Sequence, residues 1–272
     1  MGSIDSNARA DASGPSGWSI AVARGITLLG LIIFVWLIAL ETTDPRFSVA
    51  LDADHQIYRA AALRWSQGGT WFFPEQVAGV PYEVIQGHIM YPPVALAWLL
   101  PGAYLPDVLW YGVPIAVIAG VVLYQRPSVW GWAGIALCLG YPWSAPHLLA
   151  GNPGIWVAAA CALGTIWRPA FALVLAKPSL APFALIGVRH RGWWVIAGLG
   201  LLGSLLFLPM TIQWLGVVLN ARGQFSGLLY GLRDLGWMLL PLVAWWFGRF
   251  PPVVPWVDAR MDGRRLGRAA LA

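Results

Sequence analysis

The sequence predicts an all-α membrane protein, a polytopic bundle of transmembrane helices, and three observations carry that expectation. Mean hydropathy is +0.66, with 58% hydrophobic and 11% charged residues in a chain of 272, a balance that an ordinary water-soluble globule does not reach. Apolar runs of helix length recur at 20–40, 107–124, 128–144, 153–167, 170–188, 192–212 and 235–248. Eighteen tryptophans are present, many at the ends of those runs (Trp18, Trp110, Trp130, Trp167, Trp193, Trp194, Trp245, Trp246), where indole suits the headgroup region.

Residues 1–17, rich in Ser, Gly, Ala and Asp, are expected as a disordered cytoplasmic tail. The run from Ile20 to Leu40 is too long for a signal-peptide core and lacks a small-x-small cleavage site, so it reads as a retained first helix. A single transmembrane domain is expected over 18–250, with an external loop at 41–106 that bears interfacial helices. Within that loop, Asp54 to Ala62 reads as a short amphipathic helix stopped by Gly68-Gly69, with Asp54 and Tyr58 four apart on one face. Asp52 or Asp54 suits its N-cap. The stretch from Tyr91-Pro92-Pro93 to Leu105 is expected to lie along, or dip into, the outer leaflet. Residues 91–101 make only about 16 Å of helix against a hydrocarbon core of about 30 Å.

Arginine decides the threading, because short basic loops stay in the cytoplasm. With Arg24 inside, Arg126, Arg168, Arg189, Arg191 and Arg249 all fall inside only if 170–188 is a hairpin broken at Lys177-Pro178. Proline removes a backbone donor and disfavours helix in the residue before it, which makes that dipeptide the natural break. The outcome is about six full crossings plus a short hairpin, with both termini cytoplasmic in a cell membrane. The net charge of +5 is carried almost wholly by arginine, and Arg260, Arg264, Arg265 and Arg268 in the tail 251–272 read as a topology signal and not as a nucleic-acid patch.

Lys177 is the only lysine. An ammonium in an apolar stretch persists where it meets water, an anion or a carboxylate, so it marks a site. The threading collects Asp52, Asp54, His55, Tyr58, Arg59, Arg64, Glu75, Glu83, His88, Tyr91, His147, Asn152, Lys177, Arg222 and Arg233 on the outer face. Cys138 and Cys161 sit in apolar runs and are expected as packed thiols without a disulfide. No spacing indicates a metal site, and no cofactor is expected; Asp52-Ala53-Asp54 is the nearest approach, and two carboxylates alone are a poor ligand set. Asp107 after Pro106 and Asn152 before Pro153 each read as residues at helix starts.

Taken in order, Asp54, Tyr58, Ala60-Ala61, Gly68-Gly69, Tyr91-Pro92-Pro93, Gly151-Asn152-Pro153 and Lys177-Pro178 before a basic loop make a pattern that resembles the GT-C superfamily of membrane glycosyltransferases. The resemblance runs over about residues 20–195 and is greatest to the polyprenol-phosphate-mannose-dependent mannosyltransferases. It implies transfer of a sugar, commonly mannose, from a polyprenyl-phosphate donor to a lipid or glycan acceptor at the outer membrane face. It also implies that Asp54, with Asp52 in reserve, deprotonates the acceptor hydroxyl. Asn152 stands where that group commonly has glutamine, and the chain is shorter than its usual members. Displacing a lipid phosphate needs a base near the acceptor oxygen and cations near the phosphate. Asp54 and Lys177 suit those tasks, with Arg59, Arg222 and Arg233 as further phosphate ligands and His55, Tyr58, Tyr91 and Asn152 as substrate contacts. Two other classes remain: a transporter or lipid flippase, on the broken helix that carries a cation, and a non-catalytic membrane subunit derived from such a transferase.

Overall fold

Long apolar runs without helix breakers become long helices, and punctuated ones do not. In the computed structural model, which describes residues 17–44, 51–85 and 87–222, the chain is all-α but for a two-residue parallel bridge. Helix α1 (Gly17–Thr43, 27 residues) is longer than the apolar run that marked it, and α5 (Asp107–Gln125, 19 residues) is the second helix long and apolar enough to cross a bilayer. Between them the polar segment folds into α2 (Ala53–Ser66), α3 (Pro74–Val77) and α4 (Leu96–Tyr104), the last entered through a 3-10 turn at Pro93–Ala95. Gly68 follows α2 with φ +86°, a left-handed backbone that a glycine adopts without strain.

Two of the expected crossings are shorter than their apolar runs. Helix α6 covers Val129–Leu139 and α8 covers Gly154–Ile166, 11 and 13 residues, or about 16 and 20 Å at 1.5 Å per residue. The remainder of 128–144 and the residues after it turn through a bend into α7 (Ser144–Leu149). The run 192–212 is not one helix: α10 (Arg191–Leu206) and α11 (Leu208–Asn220) meet at a 94° bend, where Pro209 in the first turn of α11 lacks the N–H needed to continue α10. Taken as one span, that pair makes a third candidate crossing. The run 235–248, the tails before residue 17 and after 222, and Arg233 lie outside the described residues.

The stretch 168–187 folds back on itself. A 3-10 limb, Arg168–Ala176, runs along α8, Lys177 is extended (φ −117°, ψ 91°), and the chain returns through Pro178–Leu180, α9 (Ala181–Ala184) and Leu185–Gly187. The nine residues of the first limb span about 18 Å at a rise of ~2.0 Å, which matches α8 beside it. The limbs close tightly at the base: a Cβ on Gly187 would lie 2.5 Å from the Arg168 carbonyl oxygen. Arg168, Arg189 and Arg191 therefore share one end of the hairpin, and Lys177 occupies the other.

Hydrogen bonds between helices set the directions of the remainder. Trp130 Nε1 donates to Ser19 Oγ at 3.1 Å, so α6 starts beside the start of α1. Gln125 bonds Thr165, and Trp110 Nε1 donates to the Gly151 carbonyl at 3.0 Å, so α5 and α8 run in the same direction. One end of the bundle thus gathers the arginines of the short connections, and the opposite end gathers Asp52, Gly151, Asn152 and Lys177. Strand β1 (Tyr82–Glu83) pairs with β2 (Ala221–Arg222), and Tyr82 Oη donates to the Val217 carbonyl at 3.0 Å, which ties the polar segment to α11.

Two of the tryptophans at the ends of apolar runs are buried within the protein. Trp110 is 1% exposed and Trp193 5% exposed. Each uses its indole N–H on a carbonyl, that of Gly151 for Trp110 and that of Ala184 for Trp193. Burial of a polar tip with its partner supplied is how an aromatic enters a core. Cys138, expected as a packed thiol, lies exposed on α6, and Cys161 is half-buried.

Helices α1 and α6 touch backbone to backbone at Gly30, where a Cβ would fall 2.5 Å from the Ala136 carbonyl oxygen; nothing lies within 4 Å of a Cβ on Gly25 of the same helix. Gly30→Ala is expected to lower the thermal unfolding midpoint in detergent, at a cost of about 1–3 kcal/mol for overpacking. Gly25→Ala is expected to leave it unchanged or raise it slightly.

Candidate functional site

A half-buried acid, an amide and a half-buried amine stand in line at the end of the bundle opposite the arginines. Asp54 lies in the first turn of α2, Asn152 just before α8, and Lys177 at the tip of the hairpin. Asn152 Nδ2 donates to Asp54 Oδ2 at 2.7 Å, and Asn152 Oδ1 accepts from Lys177 Nζ at 3.2 Å and from the Gly154 amide at 2.8 Å. The last bond ties the first amide of α8 to the residue before its cap, which is Pro153 and not Asn152 as the Asn-Pro pair implied. No direct ion pair joins Asp54 to Lys177 among the described residues. The ammonium also sits 5.8 Å from the centre of the Tyr91 ring, and Tyr58 meets Tyr91 edge to face at 5.1 Å.

Asp52 has a different environment from Asp54. It is the residue preceding α2, in a left-handed conformation (φ 63°), and its side chain does not cap the helix. Its carboxylate accepts instead from Tyr111 Oη at 2.8 Å, from His55 Nδ1 at 2.9 Å and from Gln56 Nε2. The backbone around it is hydrogen-bonded to the turn between α7 and α8: Asp52 N to Leu149 O, Asp54 N and His55 N to Ala150 O. Three donors fall on the Asp52 carboxylate, whereas Asp54 accepts a single amide N–H on Oδ2 among the described residues. Asp52 anchors the start of α2, and the anchored helix aims Asp54.

The other residues singled out from the sequence divide between this cluster and separate duties. His55 is 1% exposed, stacked on Trp110 at 4.5 Å, with Nδ1 on Asp52 and Nε2 buried without a partner. Arg59 donates through Nε to the Ala103 carbonyl and through Nη1 to Asp107 at 3.2 Å, which pins α2 against α4 and α5. Arg222, in β2, donates to the carbonyls of Leu219 at the end of α11 and of Ala221 beside it. His88 is buried against Glu75 at 3.2 Å. The exposed Glu75 carboxyl is held below its ordinary range, first by a backbone hydrogen bond and then by His88.

Asp52, His55 and Asp107 bring three ligand atoms within 4.8 Å of one another, a grouping that the sequence spacing does not announce. Their oxygens already accept from protein donors: His55, Gln56 and Tyr111 on Asp52, and Arg59 on Asp107. A cation there would compete with the Arg59 guanidinium on Asp107 and with Gln56 and Tyr111 on Asp52, so the set does not fit a resident metal.

Tyr111 and Gly151 complete the cluster; no local motif marks Tyr111, and Gly151 is marked only as part of Gly151-Asn152-Pro153. Tyr111 reads as one more aromatic in an apolar run, and only the packing of α5 against the start of α8 brings its hydroxyl to Asp52. Gly151 has φ +69°, and a Cβ there would meet Tyr111 Oη at 2.5 Å, His55 Cβ at 2.8 Å and Asp52 Oδ1 at 3.1 Å. Trp98, Trp110 and Trp156 pack beneath, with ring centres 5.6 to 6.5 Å apart.

No protein-family model, no curated protein and no solved structure matches the chain. The reading of the site therefore stands on its own geometry.

Tyr111→Phe removes one of the three donors on Asp52 and is expected to destabilise the protein by about 1–3 kcal/mol, seen as a lower unfolding midpoint in detergent. Gly151→Ala, with a strained φ and a clash against three residues at once, is expected to lower it further.

Proposed function

We propose that the protein is an integral-membrane glycosyltransferase that moves a sugar, in the first instance mannose, from a polyprenyl-phosphate donor to the hydroxyl of a lipid or glycan acceptor. The observation that carries this reading is the line Asp54, Asn152, Lys177: a base with one oxygen, and a cation with N–H groups, unengaged among the described residues, one amide apart at one end of an apolar bundle. In the proposed reaction Asp54 takes the proton of the attacking hydroxyl as the new glycosidic bond forms, the bond from the sugar to the phosphate oxygen breaks, and the bonding pair leaves with the polyprenyl phosphate. Lys177 offers N–H donors to that phosphate, where negative charge grows. Tyr58, half-buried, offers a ring edge of the kind that sugar C–H groups pack against, Tyr91 is buried behind it at 6% exposure, and Asp52 fixes the helix that carries the base.

The finer topology belongs to the same proposal: about six crossings, with α6 and α8 helped across by the turns that flank them, both termini in the cytoplasm and the Asp54 end at the outer face of the cell membrane. Arg233 remains a candidate phosphate ligand. Arg59 and Arg222 are committed to carbonyls and to Asp107, which argues for a structural part in both. A second reading, a transporter or flippase, draws on the 94° break between α10 and α11, which adds a second interrupted apolar segment to the one at Lys177.

Purified protein in nanodiscs, given polyprenyl-phosphate [14C]mannose and a mixed lipid and glycan acceptor fraction, tests the reading. Asp54→Asn is expected to lower transfer by about 10²–10⁴, the usual contribution of a general base, with the unfolding midpoint retained. Lys177→Ala is expected to raise KM for the donor roughly tenfold through loss of a charged hydrogen bond. Lys177→Arg is not expected to rescue it, because a flat fork does not replace a compact ammonium. Full transfer by both Asp54→Asn and Asp52→Asn overturns the mechanism, and substrate flux across sealed vesicles without any transfer favours the transporter.

A further inference from the structure

Asp54 and Lys177 are opposite charges at the same end of the same bundle, and in a site of low polarity they should fall together. Attraction between unit charges at 4 Å is on the order of 4 kcal/mol at an effective dielectric of 20. They do not meet, because the Asn152 amide lies between them. Its orientation is dictated from both sides. The NH2 group faces a carboxylate, and the carbonyl oxygen faces an ammonium and the Gly154 N–H, so a flipped amide would set donor against donor. The amide is itself held in place: its oxygen accepts from the first N–H of α8, Pro153 restricts the backbone that follows, and a Cβ on Gly154 would lie 2.9 Å from Asn152 Oδ1 and 3.4 Å from Lys177 Nζ. Only glycine leaves room for the contact.

We propose that Asn152 is a positioning residue, a spacer that keeps the Asp54 carboxylate and the Lys177 ammonium one amide apart so that neither neutralises the other. What enters the gap, a hydroxyl at Asp54 and a lipid-linked phosphate at Lys177, rests on the transferase reading; the spacing itself does not. The spacer leaves each charge only partly engaged. Asp54 uses one oxygen, and Lys177, with three N–H groups, has a single acceptor within hydrogen-bonding distance among the described residues. A direct pair would hold the carboxylate ionised and weakly basic, and would occupy the N–H groups that an anion needs. The amide interrupts that pair while keeping both groups aimed.

The single lysine makes the test direct, since amine-selective labelling of the full chain reports on Lys177 and, apart from it, only on the N-terminus. The protein in nanodiscs is treated with trace acetic anhydride at fixed pH, and the label on the Lys177 peptide is measured by mass spectrometry relative to an internal free amine. In Asn152→Ala the ammonium is expected to close onto Asp54 and its labelling to fall about tenfold, one decade in the protonation equilibrium. Asn152→Ala with Asp54→Asn is expected to restore labelling to the wild-type level or above. Gly154→Ala, which keeps the amide and displaces its oxygen, is expected to lower labelling in the same direction, and it decides the matter should Asn152→Ala fail to fold. Labelling that is unchanged or raised in Asn152→Ala, or in Gly154→Ala where that variant decides, overturns the spacer. So does labelling that stays low once Asp54 is removed. Sugar transfer is measured on the same samples. The labelling pattern without transfer removes the transferase reading and keeps the spacer, and transfer without the pattern does the reverse.

Discussion

The carboxylate of Asp52 is the knot on which the functional end of the molecule depends. A charged group taken out of water is tolerated only when its lone pairs are met. Tyr111 from α5, with His55 and Gln56 from α2, meets those of Asp52, while the backbone beside it bonds to the turn between α7 and α8. Three stretches of chain, around residues 52, 111 and 150, are joined there. Each is short of partners alone: α2 lacks a side-chain cap, the Tyr111 hydroxyl sits on an apolar helix, and the turn after α7 exposes carbonyls. The knot satisfies all three at once and fixes the direction in which α2 presents Asp54.

From that anchor the division of labour between the two aspartates follows. They are two residues apart in sequence, carry the same group, and lie at the same helix start, yet one accepts three donors and the other a single amide. The neighbours decide which of the two is the more open. The hairpin brings its cation to the open one. A 3-10 limb rises faster per residue than an α-helix, so nine residues carry Lys177 the full length of α8 and set it beside Asn152. The extended Lys177 backbone is the conformation that the following proline imposes.

The same segment shows how a thin bundle of apolar helices accommodates polar chemistry. Helices α6 and α8 are too short to span a bilayer core alone, and the irregular backbone that follows α6 and precedes α8 is where the hydrogen-bonding groups of Leu149, Ala150, Gly151 and Asn152 become available to α2, α5 and the hairpin. Full-length helices would have consumed those groups internally. Irregular backbone at such depth is tolerated where it is buried in protein or lines a wet cavity. The stretch from Leu149 to Ala150 supplies the carbonyls that hold the backbone of Asp52, Asp54 and His55.

Composition and hydropathy alone determined the class: an all-α protein with apolar helices long enough to cross a membrane. Local chemistry determined several details as well. Lys177-Pro178 marked the hairpin tip, Gly68-Gly69 marked the end of α2, and Asn152-Pro153 marked the start of α8. These were legible because burial periodicity, proline sterics and glycine φ act over a few residues. Tertiary structure alone decided the interior placement of Trp110, the engagement of Arg59 with Asp107, and the recruitment of Tyr111. It also decided which aspartate is open. Each of those depends on a partner dozens of residues away, and hydrogen bonds between distant segments leave no periodic trace in the segments that make them.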